Sequence, residues 1–229
     1  MKVACILLTL DRSELTKQII TQNLFNAGLS ADVFWIDNGS KPDNIEAIEA
    51  LRYPFTAIRH FPENVGIASA LNAGIELADG YDAIVTLAND ILMPAGWLEK
   101  MVEYAEKIPL SGMIGIHCVE GLPPLTELGV HEIFTPFGNV MITGAALEAA
   151  GKFNTDYDPY GMQDADYAYR LNKLGFVSYY LPEMKSDHIG ADMGQDNEYR
   201  AMKNAGLEKA GAVWTTAVEK YDSTGVYKL

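Results

Sequence analysis

The chain predicts an α/β fold built on a mostly parallel sheet flanked by helices. Three observations carry that prediction. Over roughly the first 110 residues, apolar runs of strand length alternate with segments of helical period, the pattern of βαβ crossovers. The polar clusters "TLDR", "DNGS" and "ANDI" sit where successive strands end, and ligands of parallel sheets bind beyond those carboxyl ends. The 229 residues are 48% hydrophobic and 21% charged, which suits one large domain better than two small ones.

The elements follow in order. "KVACILLTL" is a continuous apolar run of strand length. "SELTKQIITQNLFNAG" carries Leu15, Ile19, Ile20 and Leu24 at helical spacing, with Ser13 as N-cap and Gly28 as the stop. "ADVFWID" is a second strand, "NGSKPDN" a turn, "NIEAIEALR" a short helix and "FTAIRHF" a third strand. "VGIASALNAGIELADG" is a helix rich in small residues, "YDAIVTL" a fourth strand and "AGWLEKMVEYAEKI" an amphipathic helix. After about residue 110 the texture changes. "GMIGIHCV" is a strand, "GLPPLTELGVHEIFTPFGNVMI" mixes strands with loops, and the helices "GAALEAAG" and "DADYAYRLNKLG" precede the strand "FVSYYL". A polar stretch from Gly194 leads into a helical tail. The domain reading is a single unit over 1–229: a ligand-binding half over about 1–110, a second half over about 111–190, and the tail over about 191–229.

A formal net charge of −14 argues against holding nucleic acid by phosphate neutralisation and against adhesion to anionic lipid. A small anionic ligand would need a metal ion or backbone N–H groups to offset its charge. Cys5 and Cys118 form no close-spaced motif, which favours a cytoplasmic setting over a disulfide framework. "MKVACILLTLDR" reads as a buried first strand and not a secretion signal, because its apolar stretch is short and ends at Asp11 and Arg12. No apolar run is long enough to span a bilayer.

Five stretches carry candidate chemistry, each with a plainer reading beside it. Asp37 in "FWIDNGS" reads as a turn residue bonding nearby backbone, or as an acceptor for a nucleobase N–H. Asn64, Ala68 and Asn72 recur at i, i+4 and i+8 and would share one helical face, turned to solvent or to a polar ligand. Asp90, preceded by Asn89, is an ordinary loop acid or one of the few carboxylates that a cation bridging a diphosphate requires. In "YGMQDADYAYRL", Asp166 stands four residues before Arg170, spaced for a surface ion pair, while Asp164 shares a face with Ala168 and Leu171. Asp164 either answers the helix dipole or serves as a general base. The dipole would lower its pKa and desolvation would raise it. His188 in "MKSDHIGADMG" is a structural histidine or the completion of a metal site. His60, His117 and His131 have no such setting, and Trp35, Trp97 and Trp214 read as packing residues.

Taken in order, "LTLDR", "IDNGS", "NVGIASALNAGI", "LANDILMPAGWL", "YGMQDADYAYRLNKLGF" and "DHIG" resemble the inverting glycosyltransferases of family 2, which have the GT-A fold. The rhamnosyltransferase-like branch is the nearest in pattern. The resemblance runs over roughly residues 3–190. It implies a nucleotide-diphosphate sugar donor, a divalent ion (Mn²⁺ or Mg²⁺) and inverting transfer to the hydroxyl of a glycan or another acceptor. By position it implies that Asp37 contacts the base, with Thr9 and Arg12 in the same pocket. Asp11, Asn38, Asn64, Gly66, Asn72 and Asn89 would complete the donor site. Asp90 would be the metal-binding acid of a DxD-type motif, with His188 as its partner. Asp164 would be the base, supported by Gln163 and Asp166. Two positions depart from the pattern. Ala88 stands where the family has Asp or Asn, and Gln163 stands where a glutamate precedes the base. Losing that negative charge lowers the proton affinity of Asp164.

Three alternatives stand beside this reading. A sugar nucleotidyltransferase is disfavoured because "ILLTLDRSE" lacks a glycine-rich loop. A non-catalytic sugar-nucleotide or glycan-binding module is kept open by Ala88 and Gln163. A purely structural protein would leave the strand-end acids unexplained. The stretch from "GLPPLTELG" to "NTDYDPYG", with Pro123, Pro124, Tyr157 and Tyr160, is the expected acceptor side. The acidic charge favours a soluble or protein-bound acceptor over a bilayer lipid. Arg200, Lys203 and Lys220 are the tail's cations for approaching phosphate.

Overall fold

The chain's central apolar runs become a sheet because they are covered on both faces. In the computed structural model, which describes residues 1–190 and 197–229 (197–199 by backbone alone), β1 (Val3–Thr9) leads into α1 (Ser13–Ile19) and then β2 (Asp32–Asp37). α2 (Pro42–Glu49), β3 (Ala57–His60), α3 (Ile67–Leu77) and β4 (Ala83–Ala88) continue the alternation. β5 (Ile91–Leu92) and α4 (Trp97–Lys107) follow, then β6 (Ser111–His117), β7 (His131–Glu132), β8 (Val140–Thr143) and α5 (Gly144–Ala150). α6 (Gln163–Lys173), β9 (Val177–Lys185), β10 (Asp187–His188) and the long α7 (Asn197–Thr224) complete the described chain. The segment at Gly194, read from sequence as the start of the tail, lies outside the described residues.

The strand order is β3-β2-β1-β4-β8-β6-β9-β7. β1, β2, β3 and β4 are parallel, as are β6 and β9; β8 runs antiparallel between β4 and β6, and β7 is antiparallel on the edge. Along β1, Val3, Cys5 and Leu7 join a core with Trp97, Leu98 and Met101 of α4. Ala4 and Ile6 join a second core with α3, α5 and α6. A strand buried on both faces reads as a continuous apolar run. The small residues of α3 have their reason here too: a Cβ on Gly74 would stand 2.4 Å from Cγ2 of Ile6, so the helix lies directly on the strand.

The register fixes the site. Thr9 pairs with Asp37 and Leu8 with Ala88, so the ends of β1, β2 and β4 come level. Two short pieces escaped the sequence reading. β5 and β10 pair antiparallel, with His188 opposite Ile91, and two residues each carry no readable period.

Three expectations are corrected. Ser13 is not the N-cap of α1. Arg12 occupies that position at φ 55, no side chain caps the helix, and the Ser13 N–H donates instead to Asn44 Oδ1 at 2.9 Å. The helix expected over 13–28 is regular only to Ile19; Ile20–Leu24 form a π-helical turn, and the chain bends at Gly28 with φ +83. Asn64, Ala68 and Asn72 do not share a helical face, because α3 starts at Ile67. The Asp158 carboxylate accepts from the N–H groups of Ala68 (2.8 Å) and Ser69 (3.1 Å), satisfying the helix's free donors and leaving Asn64 in the preceding loop. Among the described residues, no helix is long and apolar enough to cross a membrane.

Candidate active site

A cavity of about 470 Å³ opens at the carboxyl ends of β1 and β4. Thr9, Asn38, Asn64, Asn89, Asp90, Gln163, Asp164 and His188 line it among the sequence-predicted residues. Asp11, Arg12, Asp37, Gly66, Asn72 and Asp166 do not.

Asp37 is 1% exposed. Its carboxylate accepts from Thr9 Oγ1 (3.0 Å) and from the N–H of Ser40 (3.1 Å), while Trp35 Nε1 donates to Thr9 Oγ1 at 2.9 Å. These bonds fix the β2 turn and hold Thr9 at the cavity wall. Asp11, at φ 52, accepts from the N–H of Lys41 and from Asn44 Nδ2, so it braces the neighbouring loop. Asn38 donates to Asn64 Oδ1 at 3.0 Å and accepts from the N–H of Val65, joining two cavity-lining amides. Asn89 Nδ2 donates to Thr16 Oγ1 at 3.1 Å. Gly66, at φ +95, leaves room for Asp158: a Cβ there would stand 2.2 Å from the Asp158 Cγ. Asn72 is neither solvent-facing nor ligand-facing, since its amide donates to the Phe153 carbonyl and accepts the Phe153 N–H.

Asp90 sits at the centre of the charged wall. Its Oδ2 lies 3.0 Å from Arg12 Nη1 and 3.4 Å from His188 Nε2. The β5–β10 pairing brings the histidine there, and Gly190 makes the approach feasible, because a Cβ on it would lie 2.3 Å from Cβ of Asp90. Among the described residues, no three His, Cys, Asp or Glu side chains converge. One carboxylate oxygen and one imidazole nitrogen 3.4 Å apart can still both reach a divalent ion about 2.1 Å from each. The residues therefore fit an ion that takes its remaining ligands from phosphate and water. Ala88 offers no side-chain donor.

Asp164 faces the same cavity from the first turn of α6. It is half-buried, with Ala168 and Leu171 of its helical face fully buried. Desolvation raises its carboxyl pKa, offset in part by the N–H of Ala165, which donates to Oδ1 at 2.9 Å. Of the two opposing effects weighed from sequence, burial prevails. Gln163 Oε1 accepts the N–H of Gly161 at 3.2 Å.

Asp166 does pair with Arg170, at 2.9 Å, but the pair is not on the surface: the two side chains are 1% and 0% exposed. Covering by α7 and the residues after it accounts for the difference. Tyr221 of that helix donates to Asp166 Oδ1 at 3.0 Å, and Arg170 Nη2 donates to the Lys152 carbonyl at 2.8 Å. Tyr157, expected on the acceptor side, is buried in this network, whereas Tyr160 does line the cavity.

Sequence reasoning missed part of the wall. Phe137 and Gly138 line the cavity from within the expected acceptor-side stretch but were not singled out there, and Met202, with no local signal, accepts at Sδ from Asn64 Nδ2 at 3.4 Å. Of the tail's three named cations, Lys203 lines the cavity, its Nζ 4.9 Å from the Tyr160 ring centroid, while Arg200 and Lys220 are exposed elsewhere.

A family described as "Glycosyl transferase family 2" matches residues 9–136, more than half of the chain. No curated protein matches it by sequence. Among solved structures, the fold is similar to the mannosyltransferase PcManGT from Pyrobaculum calidifontis in complex with GDP-Man and Mn²⁺. The TM-score is 0.65 at 20% identity, covering 84% of this chain and 58% of that one. It is also similar to S. aureus TarS 1–349 in complex with UDP, with TM-score 0.61, 15% identity and 81% and 59% coverage. The same TarS piece with UDP-GlcNAc gives 0.58, 15%, 88% and 64%. The chain thus spans less than two thirds of the length of each of these neighbours, and at these identities the likeness is one of fold.

Proposed function

The chain belongs to glycosyl transferase family 2, and from that premise we propose that it moves a sugar from a nucleotide-diphosphate donor to an acceptor hydroxyl with inversion. One observation carries the reading: Asp164, its pKa raised by burial, and the Asp90–His188 pair line one cavity. The donors named for the fold neighbours, GDP-Man and UDP-GlcNAc, support a nucleotide sugar as the substrate class.

In this mechanism Asp164 accepts the proton of the acceptor hydroxyl as its oxygen bonds to the anomeric carbon. The bond from that carbon to the diphosphate breaks, and the electron pair leaves with the diphosphate. A divalent ion at Asp90 and His188, Mn²⁺ or Mg²⁺, supplies charge neutralisation at the leaving group when bound. Arg12 Nη1 holds the same Asp90 oxygen, Oδ2, that His188 faces. Thr9, Asn38 and Asn64 shape the donor side, and Asp37 fixes Thr9 while remaining our candidate for base recognition. Asp11, Gly66, Asn72 and Asn89 support the donor side as braces. Gln163 steadies the turn before Asp164, and Asp166 supports α6 from within. The "DNGS" and "NVGIASALNAG" stretches favour the rhamnosyltransferase-like branch. Cys5 and Cys118 are unpaired, which supports a cytoplasmic setting.

Calorimetric titration with UDP, GDP, dTDP and CDP, each with and without Mn²⁺, tests the reading. Binding of one nucleotide that strengthens with the metal is expected. Absence of binding to all four would overturn it, and metal-strengthened binding with no turnover of any cognate sugar would leave the non-catalytic binding module.

A further inference from the structure

We propose that Asn139 and Asn23 are positioning residues that preset the turn carrying Asp90. The inference rests on the reading of Asp90 as the metal-binding acid. Both asparagines are buried, at 1% and 0% exposure, and neither was named as a candidate residue from the sequence.

The turn between β4 and β5 holds Asn89 and Asp90 at its tip. Asn139 spans its base. Its Oδ1 accepts the Ala88 N–H at 2.8 Å, and its Nδ2 donates to the Ile91 carbonyl at 3.4 Å. Asn23 grips the same turn from the other flank. Its Nδ2 donates to the Ile91 carbonyl at 2.8 Å, and its Oδ1 accepts the Met93 N–H at 2.8 Å. The Ile91 carbonyl therefore receives both amides. A backbone N–H has to face each Oδ1, so each Nδ2 has to face the carbonyl. Two rigid groups thus bind the residues on either side of Asp90 and leave its carboxylate free to face Arg12 and His188.

Neighbouring features support the clamp. Asn23 lies in the π-helical turn, where its own carbonyl accepts from Trp97 Nε1 at 2.8 Å. That bond ties the start of α4 to the same residue, and π-turns recur where a helix serves a site. Gly138, at φ +88, lets the approach to β8 lie against the turn: a Cβ there would stand 2.9 Å from Cδ1 of Ile91. Ala88 gains a meaning as well. At the position where the motif loses its first acidic side chain, the chain uses the backbone N–H as a fixed anchor for Asn139.

Outer residues that orient metal ligands typically change metal affinity by about 10- to 100-fold when removed. The test is nucleotide affinity with and without Mn²⁺, by calorimetry, for the wild type, Asn139→Ala and Asn23→Ala. The cognate nucleotide from the survey above is the probe. The expected result is a loss of about tenfold or more in the affinity gained from Mn²⁺, with metal-free nucleotide affinity retained because Thr9 and Asp37 lie on another strand pair. A variant with an unchanged Mn²⁺ gain overturns the positioning role alone. A wild type with no Mn²⁺ gain overturns the reading of Asp90 and the proposal with it. If the alanine variants do not fold, Asn139→Ser takes their place: its single short hydroxyl cannot span from the Ala88 N–H to the Ile91 carbonyl as the amide does, and a folded Asn139→Ser with the full Mn²⁺ gain overturns the proposal equally.

Discussion

The guanidinium of Arg170 and the carboxylate of Asp166 pair at 2.9 Å with both side chains at or below 1% exposure. Removing one member of such a buried pair leaves the other charged and uncompensated, which typically costs about 3–5 kcal/mol. Asp166→Ala is therefore expected to lower Tm by roughly 10 °C in a chain of this length. It also removes the acceptor of Tyr221 (3.0 Å), so α7 should loosen before the sheet does. Thermal unfolding alongside amide exchange of α7 checks both points. An unchanged Tm would show that the pair does not hold this part of the fold.

Asp164→Asn should behave oppositely. Burial raises the pKa of this carboxyl in the folded chain, so the unfolded chain releases the proton at lower pH, near the ordinary aspartate value of about 3.9. As pH rises through the interval up to the folded pKa, the unfolded state gains relative to the native one. The neutral amide avoids that loss. At neutral pH the variant is expected to melt higher than wild type, while transfer falls by about 10²- to 10⁴-fold. Well below the ordinary aspartate pKa of about 3.9 the carboxyl is protonated in both states, and the stability difference should vanish. In the wild type, the rate should decline on the acid side at a pH above the ordinary aspartate pKa. Melting curves and initial rates across pH, measured on both proteins, decide it; near wild-type transfer by Asp164→Asn would remove it as the base.

The contrast between these two acids marks what sequence can and cannot carry. Spacing alone set Asp164 beside Ala168 and Leu171 and Asp166 opposite Arg170, and both relationships hold in the fold. Depth was not legible, because it depends on α7, which returns from more than fifty residues downstream in sequence to cover Asp166. The inner strands β1, β2 and β4 were legible because they are apolar on both faces; the β5–β10 pair was not, since two-residue strands show no period. Asn23 and Asn139 were illegible for a related reason. Their partners are backbone groups 68 and 48 residues away, and an asparagine serving as a clamp looks in sequence like any polar residue. Asn64 and Asn72 illustrate the reverse error, where a regular spacing suggested one face and Asp158 started the helix later.

Gly190→Ala tests the approach of His188 to Asp90. A Cβ at this position would stand 2.3 Å from Cβ and 2.6 Å from Oδ2 of Asp90, so the strand carrying His188 or the acid itself has to move. His188 is exposed but Gly190 is buried, so the overpacking is expected to cost about 1–3 kcal/mol. Metal-dependent nucleotide affinity is expected to fall by about tenfold or more, as it does when metal ligands are misoriented. Titration with and without Mn²⁺, compared with the melting temperature, separates the two effects. A fall in Tm with the Mn²⁺ gain intact would sink the idea that Gly190 serves the site.

Lys203 is the cationic residue that α7 contributes to the cavity, beside Met202. Its ammonium group lies 4.9 Å from the Tyr160 ring centroid, a distance at which the ring face attracts a cation and holds it over the cavity. A diphosphate entering beside Asp90 would meet this charge as well as any bound metal, and the chain's net charge of −14 makes a fixed local cation the more valuable for an anionic ligand. Lys203→Met keeps the stem that covers Tyr160 and deletes the charge. It is expected to raise the donor KM about tenfold, with kcat changed less, since the charge acts on ground state and transition state alike. The difference from wild type should shrink between about 0.05 and 0.5 M salt, where screening shortens to a few ångströms. Lys203→Arg should retain most of the affinity. If Lys203→Met binds the donor as wild type does at low salt, Lys203 serves packing against Tyr160 and not the phosphates.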